Sequence, residues 1–469
     1  MSSQSIWIRF RSPAGLCLAA LLLLSGSLAH AQDAHYWTQQ FGNQARLLGG
    51  TVIGGSNDVS ATYYNPGRLA LLSSTELVLA GNAFEYTSIS IDGALADGEK
   101  FNSTRLGSVP SLFAGQIRGL SRGKSKVAYS VLTRHSSFLR LDERRDITDE
   151  IQYDSDQAAV SFSLDETMSD FWAGLTWAYP LGDHVGIGVS TYLSVRSQRS
   201  RSMVVAQIAR SEPDTSAGVA LQRSDFDYNQ WSLLAKVGIG ADLGGWLVGL
   251  TATTSNLKVY GSGAIGYDET VVGQDLDNDG NTASQVITGY QDEIDAEYRM
   301  APSLGAGISR RWERTTFHVS AEWFAGLAEY TVLDADPMPS SDGSQERDVD
   351  ITDYRNAVFN AGLGLEHRFH DKLGGYASFR TDFSAIDNFA ESRLAVGIWD
   401  IYHLSGGATF TVMNSEFTLG LTYSFGHGDT PPATSVIPDA DGNDIDEPER
   451  TLRIDFRRIT GLLGFAFGF

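Results

Sequence analysis

From about residue 75 to its end the chain alternates bulky apolar residues with small or polar ones. In 416–425, Phe417, Leu419, Leu421, Tyr423 and Phe425 share one face, and Thr418, Gly420, Thr422 and Ser424 share the other. Trp231, Leu233, Ala235, Val237 and Ile239 stand in the same relation to Ser232, Lys236, Gly238 and Gly240. A period of two marks a strand whose faces meet different surroundings. Runs of this kind predict strands near 75–92, 104–119, 124–142, 151–180, 184–210, 221–243, 246–262, 285–312, 314–333, 350–370, 373–389, 392–412, 414–427 and 450–469. Asp165-Glu166-Thr167 interrupts the fourth, which is expected to fall into two pieces or carry a bulge.

The connections sort by parity. After the even strands they are tight: Leu120-Ser121-Arg122-Gly123, Leu181-Gly182-Asp183, Gly244-Gly245, Glu313, His370-Asp371-Lys372 and Asn414. After the odd strands they are longer and acidic, at 93–103, 143–150, 211–220, 263–284, 334–349 and 428–449, with the join near 390 an exception. A soluble sandwich has no reason to gather its tight turns at one end, whereas a transmembrane barrel has short periplasmic turns and longer outer loops. The expected fold is therefore all-β, a 14-stranded antiparallel transmembrane β-barrel in a bacterial outer membrane. The last strand ends Phe465-Ala466-Phe467-Gly468-Phe469. It resembles the terminal strand that the barrel-assembly machinery recognises, which makes that machinery an expected partner through Phe469.

The first residues change the accounting. Arg9 and Arg11, an apolar run from Ala14 to Leu24, and Ala29-His30-Ala31 have the order of a cleaved export signal, read as 1–31. Cys17 leaves with it, so no disulfide, thiol nucleophile or cysteine-based zinc site remains. The formal charge of −22 becomes −24, which excludes nucleic acid as a partner because phosphate binding needs clustered Lys and Arg. No triad stands out: His135-Ser136 and Ser424-Phe425-Gly426-His427 pair a hydroxyl with a base, but strand neighbours face opposite ways, and an enzyme is not expected.

Two features carry charge. Lys236, Glu322, Glu366, Arg368 and Arg458 fall on small-residue faces, where they either hydrogen-bond a plug in the lumen or simply hydrate a polar interior. Asp275, Asp277 and Asp279, followed by Gly280, begin like a calcium loop, but Val286 stands where the bidentate Glu belongs. This loop, with the looser run Asp439 to Asp446, reads as a solvated acidic loop, a Ca²⁺ site, or a bridge through divalent ions to lipopolysaccharide. No other cofactor is expected.

Between the export signal and the first strand lies Tyr63-Tyr64-Asn65-Pro66-Gly67, a turn stiffened by the proline ring. An aromatic run ending in Asn-Pro and a small residue, placed before fourteen strands, resembles the hatch of the long-chain fatty acid transporter family of outer-membrane proteins. Gly67 replaces that family's alanine. The resemblance implies three parts: a signal peptide (1–31), an N-terminal hatch or plug in the lumen (32–74) and a transmembrane barrel (75–469). It also implies passive passage of hydrophobic molecules, most simply long-chain fatty acids or similar lipids. Exit would be lateral where the third strand is kinked, near Arg134, His135, Ser136 and Ser137, where alternation breaks. The family's capture loops are apolar, whereas 211–220 and 263–284 are polar and acidic here. A hydrophilic diffusion porin and a non-transporting scaffold of the same family stay open as alternatives.

Overall fold

A computed structural model describes residues 34–73, 76–92, 100–107, 109–121, 123–146, 157–210, 216–274, 283–341, 343, 345–386, 399–430 and 452–468. The export signal, the Asp275 to Asp279 run, the Asp439 to Asp446 run and Phe469 lie outside these. Fourteen antiparallel strands close into a barrel. In chain order the segments are β1 (Glu76–Asp92), β2 (Lys100–Gly107), β3 (Pro110–Gln116), β4 (Lys126–Asp146), β5 (Gln157–Pro180), β6 (Val185–Arg210), β7 (Ser216–Leu243), β8 (Trp246–Thr253), β9 (Leu257–Gln274), β10 (Ala283–Ile294) and β11 (Ser303–Trp312). They continue as β12 (Thr315–Phe324), β13 (Leu327–Leu333), β14 (Met338–Pro339), β15 (Glu346–Arg347), β16 (Ile351–Arg355), β17 (Val358–His370), β18 (Leu373–Asp382), β19 (Asp400–Val412), β20 (Ser415–Thr430) and β21 (Leu452–Gly468). β2 with β3, β8 with β9, and β10 with β11 each make one spanning strand. β21 pairs with β1 from Glu76↔Gly468 to Asp92↔Arg453, which removes the last free edge, as hydrocarbon demands.

The alternation sorts as its physics requires. Leu233, Val237, Ile239, Phe317, Val319, Trp323, Leu419 and Leu421 are exposed on the outside, and Ser232, Lys236, His318, Ser320, Thr418 and Ser424 are buried inside. Among the described residues no helix is long and apolar enough to cross a membrane. An outward apolar band on a closed strand wall is the architecture of a bacterial outer-membrane barrel. A spanning strand needs about 9–11 residues, yet β7 has 28 and β6 has 26, so the wall stands far above the membrane.

The structure departs from the sequence reading in four places. β5 is one strand, in unbroken register with β6, because Glu166 turns inward and accepts a hydrogen bond from Gln198 Nε2 at 2.9 Å. Residues 263–274, expected in a loop, extend β9, with Ile265, Tyr267, Glu269 and Val271 buried at alternate positions. The join near 390 is not short, since β18 ends at Asp382 and β19 begins at Asp400; residues 387–398 between them lie outside the described set.

The seventh to tenth strands are not continuous but break at 254–256, 295–302, 325–326 and 356–357. Pro302 has no amide proton for a ladder, and Asn256 Nδ2 leaves its own strand to bond Tyr298 O at 2.8 Å. Beyond the breaks β13 and β16 form their own small sheet. It turns inward, so that Val332, Leu333, Met338 and Ile351 pack on Phe226, Tyr228, Ile265 and Ile287.

The third spanning strand, β4, carries a bulge where its alternation breaks, with Thr133 and His135 opposite Phe171 and Asp170 and Arg134 as the extra residue. That bulge moves the inward face from even positions (Ala128, Ser130, Leu132) to odd ones (His135, Ser137, Leu139, Leu141). Pairing of β4 with the second strand ends at Leu112↔Leu132, and among the described residues no ladder joins β2 to the upper half of β4.

Two kinds of interior result. Around residues 34–73 the inward faces are small and polar. Higher up they become apolar: Leu139, Leu141, Val160, Phe162, Leu164, Val204, Ala206, Ile454 and Phe456 make one cluster, and the Phe226 to Ile287 group makes another.

Candidate functional site: the inner segment and the cavity beside the bulge

Residues 34–73 fold into three single-turn helices, α1 (Gln44–Leu47), α2 (Ala61–Tyr64) and α3 (Pro66–Leu69), joined by turns. None would hold in water at four residues; the wall holds them. Asn65 is extended (φ −159°, ψ 98°) and its Oδ1 accepts from Gly67 N at 3.0 Å, while Pro66 occupies the first helical position, where a missing N–H costs nothing. Asn65 Nδ2 donates to Ile53 O at 2.8 Å and to Ile239 O of β7 at 3.0 Å, which ties the turn to the wall. A Cβ on Gly67 would lie 2.6 Å from Gly186 O and 2.7 Å from Gly238 O, so backbone meets backbone here and glycine has a steric reason.

Other ties run round the bore. Ser190 Oγ and Tyr192 OH both donate to Thr62 O, at 2.6 and 2.7 Å, and Ser378 Oγ donates to Leu47 O at 2.9 Å. Asp382 accepts from Trp37 N at 2.8 Å and Thr38 Oγ1 at 2.6 Å, while Arg380 Nε donates to Trp37 O at 3.1 Å. Arg46 donates to Gly81 O at 2.8 Å and also bonds Asn82. Burial shifts the segment's ionisable groups: it lowers the Arg46 guanidinium to about 10, lifts the Tyr63 phenol to about 12 and raises the Asp58 carboxyl against its bonds from Ser60.

Beside the segment lies a cavity of about 40 Å³ lined by Tyr63, Arg134, Asp170, Trp172, Arg196, Lys236, Tyr298 and Glu322, among others. That is room for about three waters. Aromatic faces carry the cations: Arg196 lies 3.7 Å from the Tyr298 ring centre, Lys236 Nζ 4.8 Å from Tyr63, and Arg134 5.7 Å from Trp172. Lys236 pairs with Glu322 at 3.7 Å, and Asp170 accepts from Ser194 at 2.7 Å and Trp172 Nε1 at 3.1 Å. Three cations face two carboxylates.

The residues singled out from sequence are placed as follows. Glu322 bonds the segment directly, through Trp37 Nε1 at 3.0 Å, and Lys236 meets it through the Tyr63 ring. Glu366 and Arg368 bond each other at 3.1 Å, with Arg368 exposed at the rim, and Arg458 bonds Thr87 on the wall at 2.9 Å. Arg134, His135 and Ser137 are buried, and Arg134 Nη2 donates to Tyr36 O at 2.8 Å. Ser136 is half-buried. The Asp275, Asp277 and Asp279 site lies outside the described residues, among which no cluster of metal-binding side chains occurs.

Asp170, Arg196, Tyr298 and Trp37 were not picked out from sequence. The first two share the small-residue parity of their strands, a signal that was present; Trp37 and Tyr298 lie where no period runs. Ser424 contacts His403 Nδ1 at 2.6 Å rather than its near neighbour His427, and His403 Nε2 lies 3.6 Å from Asp382. Asp382 is already occupied by Trp37 and Thr38, so this trio reads as an anchor for the segment.

No protein-family model matches the chain, and no curated protein matches it by sequence. Solved structures do. The toluene transporter TodX of Pseudomonas putida aligns with a TM-score of 0.59 at 12% identity, covering 92% of this chain and 99% of that one. A FadL homologue of Pseudomonas aeruginosa aligns at 0.52 and 14%, covering 94% and 99%. The toluene transporter TbuX of Ralstonia pickettii aligns at 0.51 and 12%, covering 92% and 99%. At these identities the likeness establishes a shared barrel fold.

Proposed function

We propose that this chain carries hydrophobic molecules across the outer membrane by passive passage, with residues 32–74 as a hatch and with lateral exit beside Arg134 to Ser137. The observation that carries the reading is the change of interior along the bore. Above, buried apolar side chains fill the bore; below them lies a small aromatic and cationic cavity, which abuts the β4 bulge just where the ladder between the second and third strands stops. Apolar lining offers a greasy molecule a path that water does not favour. A bulge beside an unpaired stretch is the weakest place in a closed wall.

The ligand class follows from the cavity, which has room only for the end group of a ligand, together with the apolar side chains above it, which suit a chain. Ring faces suit an apolar body, and one cation in excess of the carboxylates suits a single negative end. Long-chain fatty acids or similar lipids meet both demands better than a neutral arene does. A hydrophilic diffusion porin fits poorly, because the segment fills the bore where such a pore must be open. A scaffold would show neither ligand nor uptake.

The test is lipid extraction and mass spectrometry of barrel purified in mild detergent. An acyl-chain acid retained in near-stoichiometric amount is expected from the wild type, and less from a Lys236→Met, Arg196→Met double variant. A clean extract together with a co-purifying protein would favour the scaffold.

A further inference from the structure

The opposite end of the bore holds a second cavity, about 440 Å³, between the inner segment and the short turns that carry Asp183, His184, Glu313 and Arg314. Into it reaches Arg68 of α3. Its stem lies across Gly240 of β7, where an added Cβ would stand 2.5 Å from Arg68 Cδ. Arg68 is only 4% exposed, and its buried Nε and Nη1 have no hydrogen-bond acceptor among the described residues. A guanidinium cannot shed its charge to escape such a position, and buried unmet donors are costly.

The other charges around the cavity are largely accounted for. Arg368 is taken by Glu366 at 3.1 Å, and Arg314 donates to Phe369 O at 2.7 Å. Arg311 and Asp242 are the charged groups felt by Arg68, but no hydrogen bond or ion pair joins either to it. Asp183, Glu313 and His184 sit exposed on the turns. Four arginines thus face four carboxylates in all, but in the buried part it is guanidinium that lacks an acceptor.

We propose that this periplasmic mouth is an oxoanion site, in which Arg68 and Arg311 hold one phosphate or carboxylate group. Planar guanidinium donors match oxoanions in geometry as well as charge. Asp242 beside them opposes binding and makes it weak enough to reverse. An anion seated there joins α3 to the β11 end of the wall and holds the segment in place. The site lies at the other end of the bore from the aromatic cavity, and does not depend on what the barrel transports.

Thermal unfolding of the intact purified barrel, at constant ionic strength and with chloride as reference, tests this with inorganic phosphate and acetate as separate probes. A saturable rise in midpoint is expected with at least one of them. Phosphate alone would point to a free anion, and acetate to a carboxylate head group. Arg68→Met and Arg311→Met should each weaken the apparent affinity by about ten-fold, and Asp242→Asn should tighten it. If Arg68→Met fails to give the heat-modifiable mobility of a folded barrel, Arg311→Met decides alone, since that side chain is exposed at the rim. No saturable shift with either probe, or one that survives substitution of either arginine, would overturn the proposal as an adventitious ion effect only.

Discussion

Deleting residues 35–72 is expected to turn the protein into an open pore with a steady, large single-channel current, where the intact protein shows none. The wall does not need the segment to close: its first ladder pair is Glu76↔Gly468, and every spanning strand finds its neighbours on the wall itself. The segment, by contrast, depends on the wall, through Thr62 to Ser190 and Tyr192, Asn65 to Ile239, and Trp37 to Asp382 and Glu322. Its removal bares serines, a tyrosine and paired charges that water can satisfy, so the emptied bore stays wet and conducts. A large steady current from the intact protein would instead mark a hydrophilic diffusion porin. A deletion variant that stays silent would place the block elsewhere.

Deleting Arg134 alone should abolish most uptake of a hydrophobic substrate while leaving a folded barrel. Arg134 is the extra residue of the bulge, so without it Thr133 and His135 follow one another in regular alternation opposite Phe171 and Asp170, and every side chain above keeps its face. What changes is the bend, together with the guanidinium that holds Tyr36 O and covers Trp172. A straight β4 can run on against the second strand and close the seam beyond Leu132. If the added barrier is only about 1.4 kcal/mol, uptake falls about ten-fold. Arg134→Met separates the two effects, since it keeps the bulge and loses the charge; it should weaken ligand retention more than it slows exit. Uptake unchanged by the deletion would remove the lateral route.

Much of the fold was legible because a barrel writes its physics into a period of two. Each residue between 231 and 240 either meets lipid or does not, and a register slip would set a Lys or Arg in hydrocarbon at about 2–4 kcal/mol. Where both faces meet the same surroundings the signal vanishes. In 263–274 the inward Ile265, Tyr267 and Val271 are buried, the first two in an apolar cluster, and the acidic neighbours made the stretch look like a loop. The four breaks in the seventh to tenth strands depend on partners far away in sequence, such as Asn256 with Tyr298, which no local pattern reports.

The cavity shows the same limit. Lys236 and Glu322 could be read from parity, but Arg196 beside Tyr298, and Tyr63 beneath Lys236, require the strand register and the path of the inner segment. Asn65-Pro66-Gly67 stood out because a proline after an extended residue has few conformations. What it touches, the glycine backbones at 186 and 238, could not be read until the strands were aligned.

The most direct measurement is uptake of a radiolabelled long-chain fatty acid by outer-membrane vesicles that carry this barrel and none of the host's own hydrophobic channels. Faster, saturable, energy-independent entry than in empty vesicles is the expected result. Entry no faster than in empty vesicles, for the fatty acid and for toluene alike, would contradict a transport role and leave a silent scaffold.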